Sequence, residues 1–367
     1  MQLGLFSMPL HHPDRDYLTV LKEDQEAVIL GDKLGFSEAW IGEHFSTAPE
    51  GITSPFVFLA SVIERTKNIR LGTGVINLPQ QHPAIVAGLA AMFDQLSEGR
   101  LMFGIGPGGL PSDFELFKNT DAAERPKMMA ESIDMILQIW AQDPPYEIKG
   151  EYWDISLTEA IWPELGVGRM AKPYQKPHPP IAASIMSPFS SSARRAAERG
   201  WIPVSANFIP ANNVASHWQV YAEASEQAGR PADPAIWRVA RSILVTESDA
   251  EAEDYVNRPD GVFHFYFTYL LTLLKAGGAL ALFKTDPDMP DEDITVEGAI
   301  AEMVIAGSPK TVLDKLMAFR EAVGDFGTLL MTGHDWDDAA LWRRSMELLA
   351  TDVVPRMGDS GASRAAE

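Results

Sequence analysis

The sequence contains no cysteine among its 367 residues. Disulfide bonds, thiolate nucleophiles and cysteine-ligated metal sites are therefore excluded. It also lacks the HExxH pattern of zinc proteases, the Walker A sequence of nucleotide-binding proteins and the G-x-S-x-G elbow of serine hydrolases. The histidine pair His11-His12, with Asp14 nearby, lacks the spacing of a zinc site. We therefore predict no metal site and no hydrolase chemistry.

Basic residues are scarce compared with acidic ones, 30 Lys and Arg against 51 Asp and Glu, and the net charge is -21. Binding to nucleic acid needs a clustered basic surface, so we expect no nucleic-acid partner. The chain enters a predicted strand at Leu3 without a basic segment or an apolar signal core. We therefore expect a cytoplasmic protein.

Long hydrophobic runs are also few. The most apolar stretch, residues 261–283, is interrupted by His264, Lys275 and the pair Gly277-Gly278. A membrane-spanning helix needs about 20 nearly uncharged residues, so we predict no membrane association. Two interpretations of the stretch stay open: a mobile lid over a site, or a buried helix that packs on the rest of the protein.

Apolar strands and amphipathic helices alternate along the whole chain. Such alternation predicts a parallel sheet with right-handed crossovers, in the α/β class. Eight units over this length fit a closed, TIM-like (β/α)8 barrel better than an open sheet. We expect one domain over residues 1–354 and a flexible tail over 355–367. The predicted strands cover residues 2–8, 38–42, 69–76, 101–106, 180–186, 202–206, 237–246 and 327–332.

Two connections are longer than a compact barrel requires. Residues 143–179 follow the fourth strand and its helix, and residues 246–308 follow the seventh strand. Unusually long loops in compact domains are often functional. We therefore expect long insertions after strands four and seven to contribute to a binding site.

The active sites of parallel barrels lie at the carboxyl ends of their strands. The third predicted strand carries Gly72 and Gly74 near its end. This pattern predicts either a strand that turns sharply where it ends or a surface on which a flat cofactor lies. Residues 104–109 match GxGxxG, but prolines interrupt the match and it lies on the fourth strand, so a dinucleotide site is not favoured. The glycines still predict a shelf free of side chains.

Two further strand ends carry polar groups. Residues 184–195 combine serines, arginines and the start of a helix, which is typical of a phosphate site but also of an ordinary helix cap. His44, next to Glu43 after the second strand, is a candidate general acid or base, or a structural histidine. The local sequence does not separate these alternatives.

Several of these segments resemble the bacterial luciferase-like flavin monooxygenases, and the resemblance covers nearly the whole chain. Residues 107–113, 173–178 and 237–239 are most similar to the limonene monooxygenase branch. Luciferase α subunits have an arginine where this chain has Pro107, which argues against light emission on an aldehyde. The segments that carry the family resemblance are Glu43-His44-Phe45, residues 71–79 with His82-Pro83, residues 94–106, and Ser187-Pro188 leading into residues 196–200.

The resemblance implies a barrel that binds reduced FMN supplied by a separate NAD(P)H-dependent flavin reductase. It also implies a homodimer packed through the early helices. Gly74-Val75 would form a cis peptide beneath the flavin ring, and His44 would donate or accept a proton. The other implied cofactor-binding residues are Met8, Asn77, Gly106, Met186 and Asn207 around the ring, and Ser187, Ser190 and Ser191 at the phosphate.

The implied reaction uses dioxygen, which adds to the flavin at C4a to give a peroxide and then oxygenates a small apolar substrate such as a terpene or a cyclic ketone. One alternative is a deazaflavin-dependent dehydrogenase or reductase of the same superfamily, although the acidic chain shows no basic groove for that polyanionic coenzyme. A second alternative is a flavin-binding protein without catalysis.

Overall fold

The protein forms a closed barrel of parallel strands surrounded by helices, seen here in a computed structural model that describes residues 1–358. The strands are β1 (Gln2–Ser7), β2 (Glu38–Ile41), β3 (Arg70–Thr73), β4 (Ile76–Asn77), β5 (Leu101–Gly106), β6 (Tyr146–Lys149), β7 (Asp154–Leu157), β8 (Ile181–Ile185), β9 (Ile202–Ser205), β10 (Arg238–Val245), β11 (Val304–Gly307) and β12 (Thr328–Thr332).

The order of strands around the barrel is β1, β2, β3, β5, β8, β9, β10 and β12, and β12 pairs with β1 to close it. All of these pairings are parallel. The short strand β4 continues the third position and pairs with β5, while β11 pairs with β10. The prediction of a closed (β/α)8 barrel is therefore confirmed. The third strand differs in detail, because Gly74-Val75 separates it into β3 and β4.

Helices connect successive strands, and their ends follow the sequence signals. Ser54 and His82 cap helices that begin with a proline, and each side chain accepts a backbone N–H of the first turn. Gly35 and Gly200 end helices with φ of +82° and +70°. The helices are α1 (Tyr17–Lys33), α2 (Pro55–Ala60), α3 (Pro83–Leu96), α4 (Pro111–Leu116), α5 (Arg125–Ala141), α6 (Ser191–Arg199), α7 (Ala211–Gln227), α8 (Asp249–Val256), α9 (Val262–Ala276), α10 (Val296–Met303), α11 (Pro309–Val323) and α12 (Ala339–Leu348).

The inside of the barrel is filled around the indole of Trp40. A Cβ on Gly72 would lie 2.5 Å from that ring, and one on Gly104 would lie 3.3 Å from it. Glycine in the neighbouring strands therefore makes room for one large side chain, in keeping with the dense packing of protein interiors. Trp40 packs with smaller side chains from the other strands: Met102, Ala182, Ile202, Val204, Ala240 and Leu330.

The two long connections contain secondary structure of their own. The antiparallel hairpin of β6 and β7 lies between α5 and β8. Helices α8, α9 and α10 and strand β11 lie between β10 and α11. Among residues 1–358, no helix has both the length and the apolar character needed to cross a bilayer. Residues 354–358 are helical and Met357 is buried, while the rest of the tail expected to be flexible, 359–367, lies outside the described residues.

Candidate active site at the carboxyl end of the barrel

The predicted floor of the site is formed by the third and fourth strands. The peptide bond between Gly74 and Val75 is cis. A Cβ on Gly106 would lie 2.5 Å from Val75 Cγ2, so the absence of a side chain at Gly106 leaves the space that Val75 occupies. Met8 lies beside the same end of the barrel, packed against Gly42. The structure therefore brings Gly74, Val75 and Gly106 together, and it places Met8 after β1 at the same end of the barrel.

His44 lies at the end of β2 between two carboxylates. Its Nε2 is 3.7 Å from Glu50 Oε2 and its Nδ1 is 3.5 Å from Asp113 Oδ2. Burial alone would lower the pKa of His44, but Glu50, Asp113 and Glu43 together hold that pKa above its usual range. The surrounding carboxylates therefore favour the protonated imidazole. A half-buried histidine that carries its proton can donate it to a ligand.

Asp113 fixes the loop that carries His44. Its carboxylate accepts hydrogen bonds from Phe45 N at 3.1 Å and from the Ser46 hydroxyl, and its side chain is 1% exposed. Burial opposes ionisation, yet these donors and His44 hold the pKa of Asp113 below its usual range. Asp113 is therefore an anion that faces the imidazole. The sequence pattern around His44 did not predict this residue as its partner.

Glu43 and Asn77 join the ends of the second and third strands. Glu43 Oε2 accepts from Asn77 N at 2.9 Å, and the Glu43 carbonyl accepts from Asn77 Nδ2 at 3.1 Å. Burial raises the pKa of Glu43 to about 7. The Asn77 side chain, predicted to border the flavin, thus also links its strand to the His44 loop.

Asn207 lies on the opposite side of the mouth, after β9. Its Nδ2 donates to Ser242 Oγ at 3.1 Å and to the Tyr266 hydroxyl at 2.9 Å. Ser242 Oγ is also 3.0 Å from His334 Nε2, and burial lowers the pKa of His334 to about 3. Tyr266 belongs to α9, so this network fastens the apolar helix across the mouth of the barrel.

The predicted phosphate serines take different positions. Ser190 is buried and caps α6, since its Oγ accepts from Ser192 N at 3.1 Å. Ser187 and Ser191 are exposed, and Met186 is half-buried. Ser192, which the prediction omitted, lines a recess with Arg195 and Ser184. The helix-cap interpretation therefore holds for Ser190, and the recess places hydroxyls beside a cation at the start of a helix.

Helix α7 holds in place the serine loop, residues 186–190, which precedes α6. His217 Nε2 donates to the Ser187 carbonyl at 3.1 Å, and Ser216 Oγ accepts from Phe189 N at 3.0 Å. His217 Nδ1 accepts from Ser205 Oγ at 2.9 Å. Burial lowers the pKa of His217 to about 4, so the ring is neutral near pH 7 and keeps one donor and one acceptor.

The first loop contains a second histidine between acids. His11 Nδ1 is 2.7 Å from Asp335 Oδ1 and its Nε2 is 3.3 Å from Asp24 Oδ2. Among the described residues, His11, Glu23 and Asp335 place potential metal ligands within 4.8 Å of one another. Arg15 forms ion pairs with Glu23 at 2.8 Å and with Asp335 at 2.6 Å, and thus supplies a positive charge to this cluster. The absence of a metal stays a prediction.

The buried histidines predict how stability depends on pH. An unfolded histidine has a pKa near 6.5, whereas His217 titrates at about 4 in the folded chain. The stability linked to neutral His217 is complete above pH 6.5 and falls as pH drops towards 4, because only the unfolded chain then binds the proton. The loss approaches about 3 kcal/mol. Urea unfolding of His217→Gln should therefore show a weaker dependence on pH between 6.5 and 4 than that of the wild type.

His11 behaves in the opposite sense. Burial lowers its pKa, but Asp24 and Asp335 outweigh that effect and raise it to about 9. Its contribution to stability is complete below pH 6.5 and is lost as pH rises through 9. The exposed His12, replaced by glutamine, serves as the control for the His217 experiment. Equal pH profiles for His217→Gln and His12→Gln would contradict the buried, neutral state of His217.

Comparison with known proteins connects this geometry to a family. The profile described as luciferase-like monooxygenase matches residues 1–325. The 4-hydroxyprotoasukamycin monooxygenase of Streptomyces nodosus subsp. asukaensis is 34% identical over 98% of this chain and 93% of that protein. Limonene 1,2-monooxygenase of Rhodococcus erythropolis is 29% identical over 98% of this chain and 88% of that protein.

A solved structure agrees with these sequence matches. It is the oxygenating constituent of 3,6-diketocamphane monooxygenase from Pseudomonas putida, a type II Baeyer–Villiger monooxygenase, in complex with FMN. The TM-score is 0.86 at 30% identity, covering 97% of this chain and 98% of that one. The chain therefore belongs to the luciferase-like monooxygenase family and is a flavin-dependent monooxygenase.

Proposed function

We propose that this protein is the oxygenase component of a two-component system. It would take reduced FMN from a separate NAD(P)H-dependent flavin reductase, use dioxygen, and oxygenate a small apolar compound of the terpene or cyclic ketone type. The observation that carries the proposal is His44, a half-buried imidazole whose protonated form is favoured by flanking carboxylates, at the same end of the barrel as the glycine-lined floor. The names of the limonene and diketocamphane relatives support the substrate class.

The residues present fit FMN. The floor of Gly74, Val75 and Gly106 leaves a surface without polar side chains on which a flat ring can lie. The recess at the start of α6 offers the Ser192 hydroxyl and the Arg195 guanidinium, which suit a phosphate. The remaining proposed contacts are Met8, Asn77, Met186 and Asn207 around the ring, and Ser187, Ser190 and Ser191 near the phosphate. Ser190 would act indirectly, by capping the helix that carries Ser192 and Arg195.

Reduced FMN, when bound, supplies two electrons and activates dioxygen for transfer of one oxygen atom to the substrate. His44 would hold or deliver a proton through Nε2, which lies 3.7 Å from Glu50 and so is not bound to it by a hydrogen bond. Helix α9 would exclude water with the apolar side chains that it buries, Val262, Phe263 and Phe267. Its movement as a lid is part of the proposal.

The proposal is tested by mixing the protein anaerobically with reduced FMN, then adding oxygen with limonene or a camphane diketone. We expect oxygenated product in near-stoichiometric yield per flavin oxidised, with little hydrogen peroxide. Hydrogen peroxide alone with every apolar substrate tried would contradict the proposed function. Tight binding and reduction of a deazaflavin coenzyme, without oxygenation from FMN, would favour the dehydrogenase alternative instead.

Arg195 gives a specific prediction for cofactor binding. It is half-buried in the recess, and its guanidinium contacts the hydroxyls of Ser191 and Ser192 at 3.4 Å and 3.2 Å. Replacing it with glutamine removes a charge-assisted contact, which should weaken FMN binding by about 10- to 100-fold. Quenching of FMN fluorescence measures the dissociation constant.

The adjacent Arg194 provides the control for this prediction. It is exposed and contacts Gln227 rather than the recess. We expect Arg194→Gln to bind FMN as the wild type does. If the two substitutions weakened binding equally, the phosphate would not lie in the recess at Arg195.

A homodimer through the early helices is also proposed. Helices α2 and α3 expose large apolar side chains: Val57, Ile85, Met92 and Leu96. Contiguous exposed apolar surface often marks a protein interface. Sedimentation equilibrium should give a molecular mass twice the 40.3 kDa of one chain, and Met92→Glu should reduce the measured mass to that of one chain. A monomeric wild type would contradict the dimer.

A further inference from the structure

Glu50 connects the candidate catalytic histidine to the helix that covers the site. Its Oε2 lies 3.7 Å from His44 Nε2, and the same oxygen accepts a hydrogen bond from the Tyr269 hydroxyl at 3.0 Å. The Glu50 side chain is only 6% exposed. Tyr269 belongs to α9 and is 219 residues away in the chain. One buried oxygen atom therefore faces both groups.

The direction of the hydrogen bonds follows from the groups present. Burial and the Glu50 charge raise the pKa of Tyr269, so the phenol keeps its single proton and donates it to the carboxylate. Thr47 Oγ1 lies 2.8 Å from the same phenol oxygen and must then be the donor to it. Tyr269 is thus oriented from two sides, and within the part of the chain that the structure describes Glu50 accepts its side-chain hydrogen bond from α9.

The charge on Glu50 is set by its neighbours. Burial holds the pKa of Glu50 above its usual range, while His44 and the Tyr269 hydroxyl act against that rise and favour the anion. The other charged groups around His44 are Asp113, opposite Nδ1, and Glu43, its neighbour in the chain. Glu43 accepts hydrogen bonds from Asn77 N and Gln81 Nε2, and Asp113 accepts them from Phe45 N and the Ser46 hydroxyl. Of the three carboxylates, Glu50 is the one that accepts a hydrogen bond from α9 within residues 1–358.

We propose that Glu50 is a positioning residue that couples the closed position of α9 to the protonation of His44. With α9 closed, the Tyr269 hydroxyl stabilises the Glu50 anion, and that anion holds the proton on the imidazole. When α9 moves away, Glu50 loses this donor and water reaches the ion pair, so the attraction of Glu50 for the imidazolium is screened and falls. The Glu50 anion therefore favours the protonated form of His44 most strongly when the site is covered. This inference builds on the proposed proton-handling role of His44.

The proposal is tested without cofactor, by NMR titration of histidine-labelled protein in which the His44 resonance is assigned from a His44→Gln spectrum. We expect Glu50→Gln to lower the pH midpoint of His44. Tyr269→Phe should also lower the pH midpoint of His44, although Tyr269 forms its hydrogen bonds with Glu50 and Thr47 rather than with His44. The control is Tyr255→Phe, which removes another buried phenol bonded to a carboxylate, Asp337, away from His44. It should leave the midpoint unchanged.

Hydrogen exchange of the backbone amides reports the position of α9. Loss of a hydrogen bond to a charged group should speed exchange in residues 262–276 by about tenfold or more in Tyr269→Phe. Glu50→Gln keeps an acceptor oxygen and should show a smaller increase. A His44 midpoint that is the same in Tyr269→Phe as in Tyr255→Phe would overturn the coupling. Unchanged oxygenation by His44→Gln would instead overturn the proposed role of His44, and the cofactor-free titration would still test Glu50.

Discussion

Replacing His44 with glutamine is expected to lower the rate of product formation by about 10²- to 10⁴-fold, the usual contribution of a positioned acid or base. Oxygen consumption should continue, with hydrogen peroxide replacing the oxygenated product. Glutamine keeps approximately the size and hydrogen-bonding capacity of histidine but carries no titratable proton. The substitution therefore removes proton transfer and leaves the binding surface in place.

The measurement compares oxygenated product with hydrogen peroxide per flavin oxidised, at saturating substrate. FMN affinity is measured in parallel and should change little, because His44 is not placed at the phosphate recess. His178 precedes β8 at the opposite end of the barrel, so His178→Gln is the control. Product yield in His44→Gln equal to that in His178→Gln would show that His44 is structural.

Replacing Gly104 with alanine is expected to destabilise the barrel by about 3 kcal/mol or more. The new Cβ would lie 1.9 Å from the Thr73 carbonyl oxygen, which belongs to the backbone of the adjacent strand. The Thr73 hydroxyl also donates to the Gly104 carbonyl at 2.7 Å. Strands β3 and β5 would have to separate, so one methyl group disturbs both barrel packing and the predicted flavin floor.

Gly109 supplies a matched control, because a Cβ there meets no atom within 4 Å. Gly109→Ala should change the free energy of unfolding by no more than about 0.5 kcal/mol. Urea unfolding followed by tryptophan fluorescence gives both free energies. If Gly104→Ala does not fold, its yield of soluble protein should be far below that of Gly109→Ala. Equal stability of the two variants would show that β3 and β5 are not packed as closely as described.

The sequence predicted the fold because its signals are local. Alternating strands and helices, with glycines such as Gly35 and Gly200 at helix ends, define the units, and the handedness of crossovers limits how they assemble. Seven of the eight predicted barrel strands lie within two residues of the observed ones. The third was predicted as one strand, but Gly74-Val75 divides it.

The serine loop marks the limit of local reasoning. The sequence indicated either a cap or a phosphate site, and both functions need hydroxyls before a helix. Only the structure assigns Ser190 to the cap and brings Ser192 and Arg195 together in the recess. The decision depends on backbone angles and on the contacts of α7, which the local serine pattern does not specify.

The sequence by itself determined the barrel, the family and the position of His44 at a strand end. The tertiary structure decided what surrounds His44: Asp113 reaches its loop from 68 residues beyond Phe45, and Tyr269 reaches Glu50 from 219 residues away. No local period links such residues, because they meet only after the barrel closes and α9 lies across it. The charge state of the imidazole depends on those long-range neighbours, since electrostatic interactions follow distance in space rather than position in the chain.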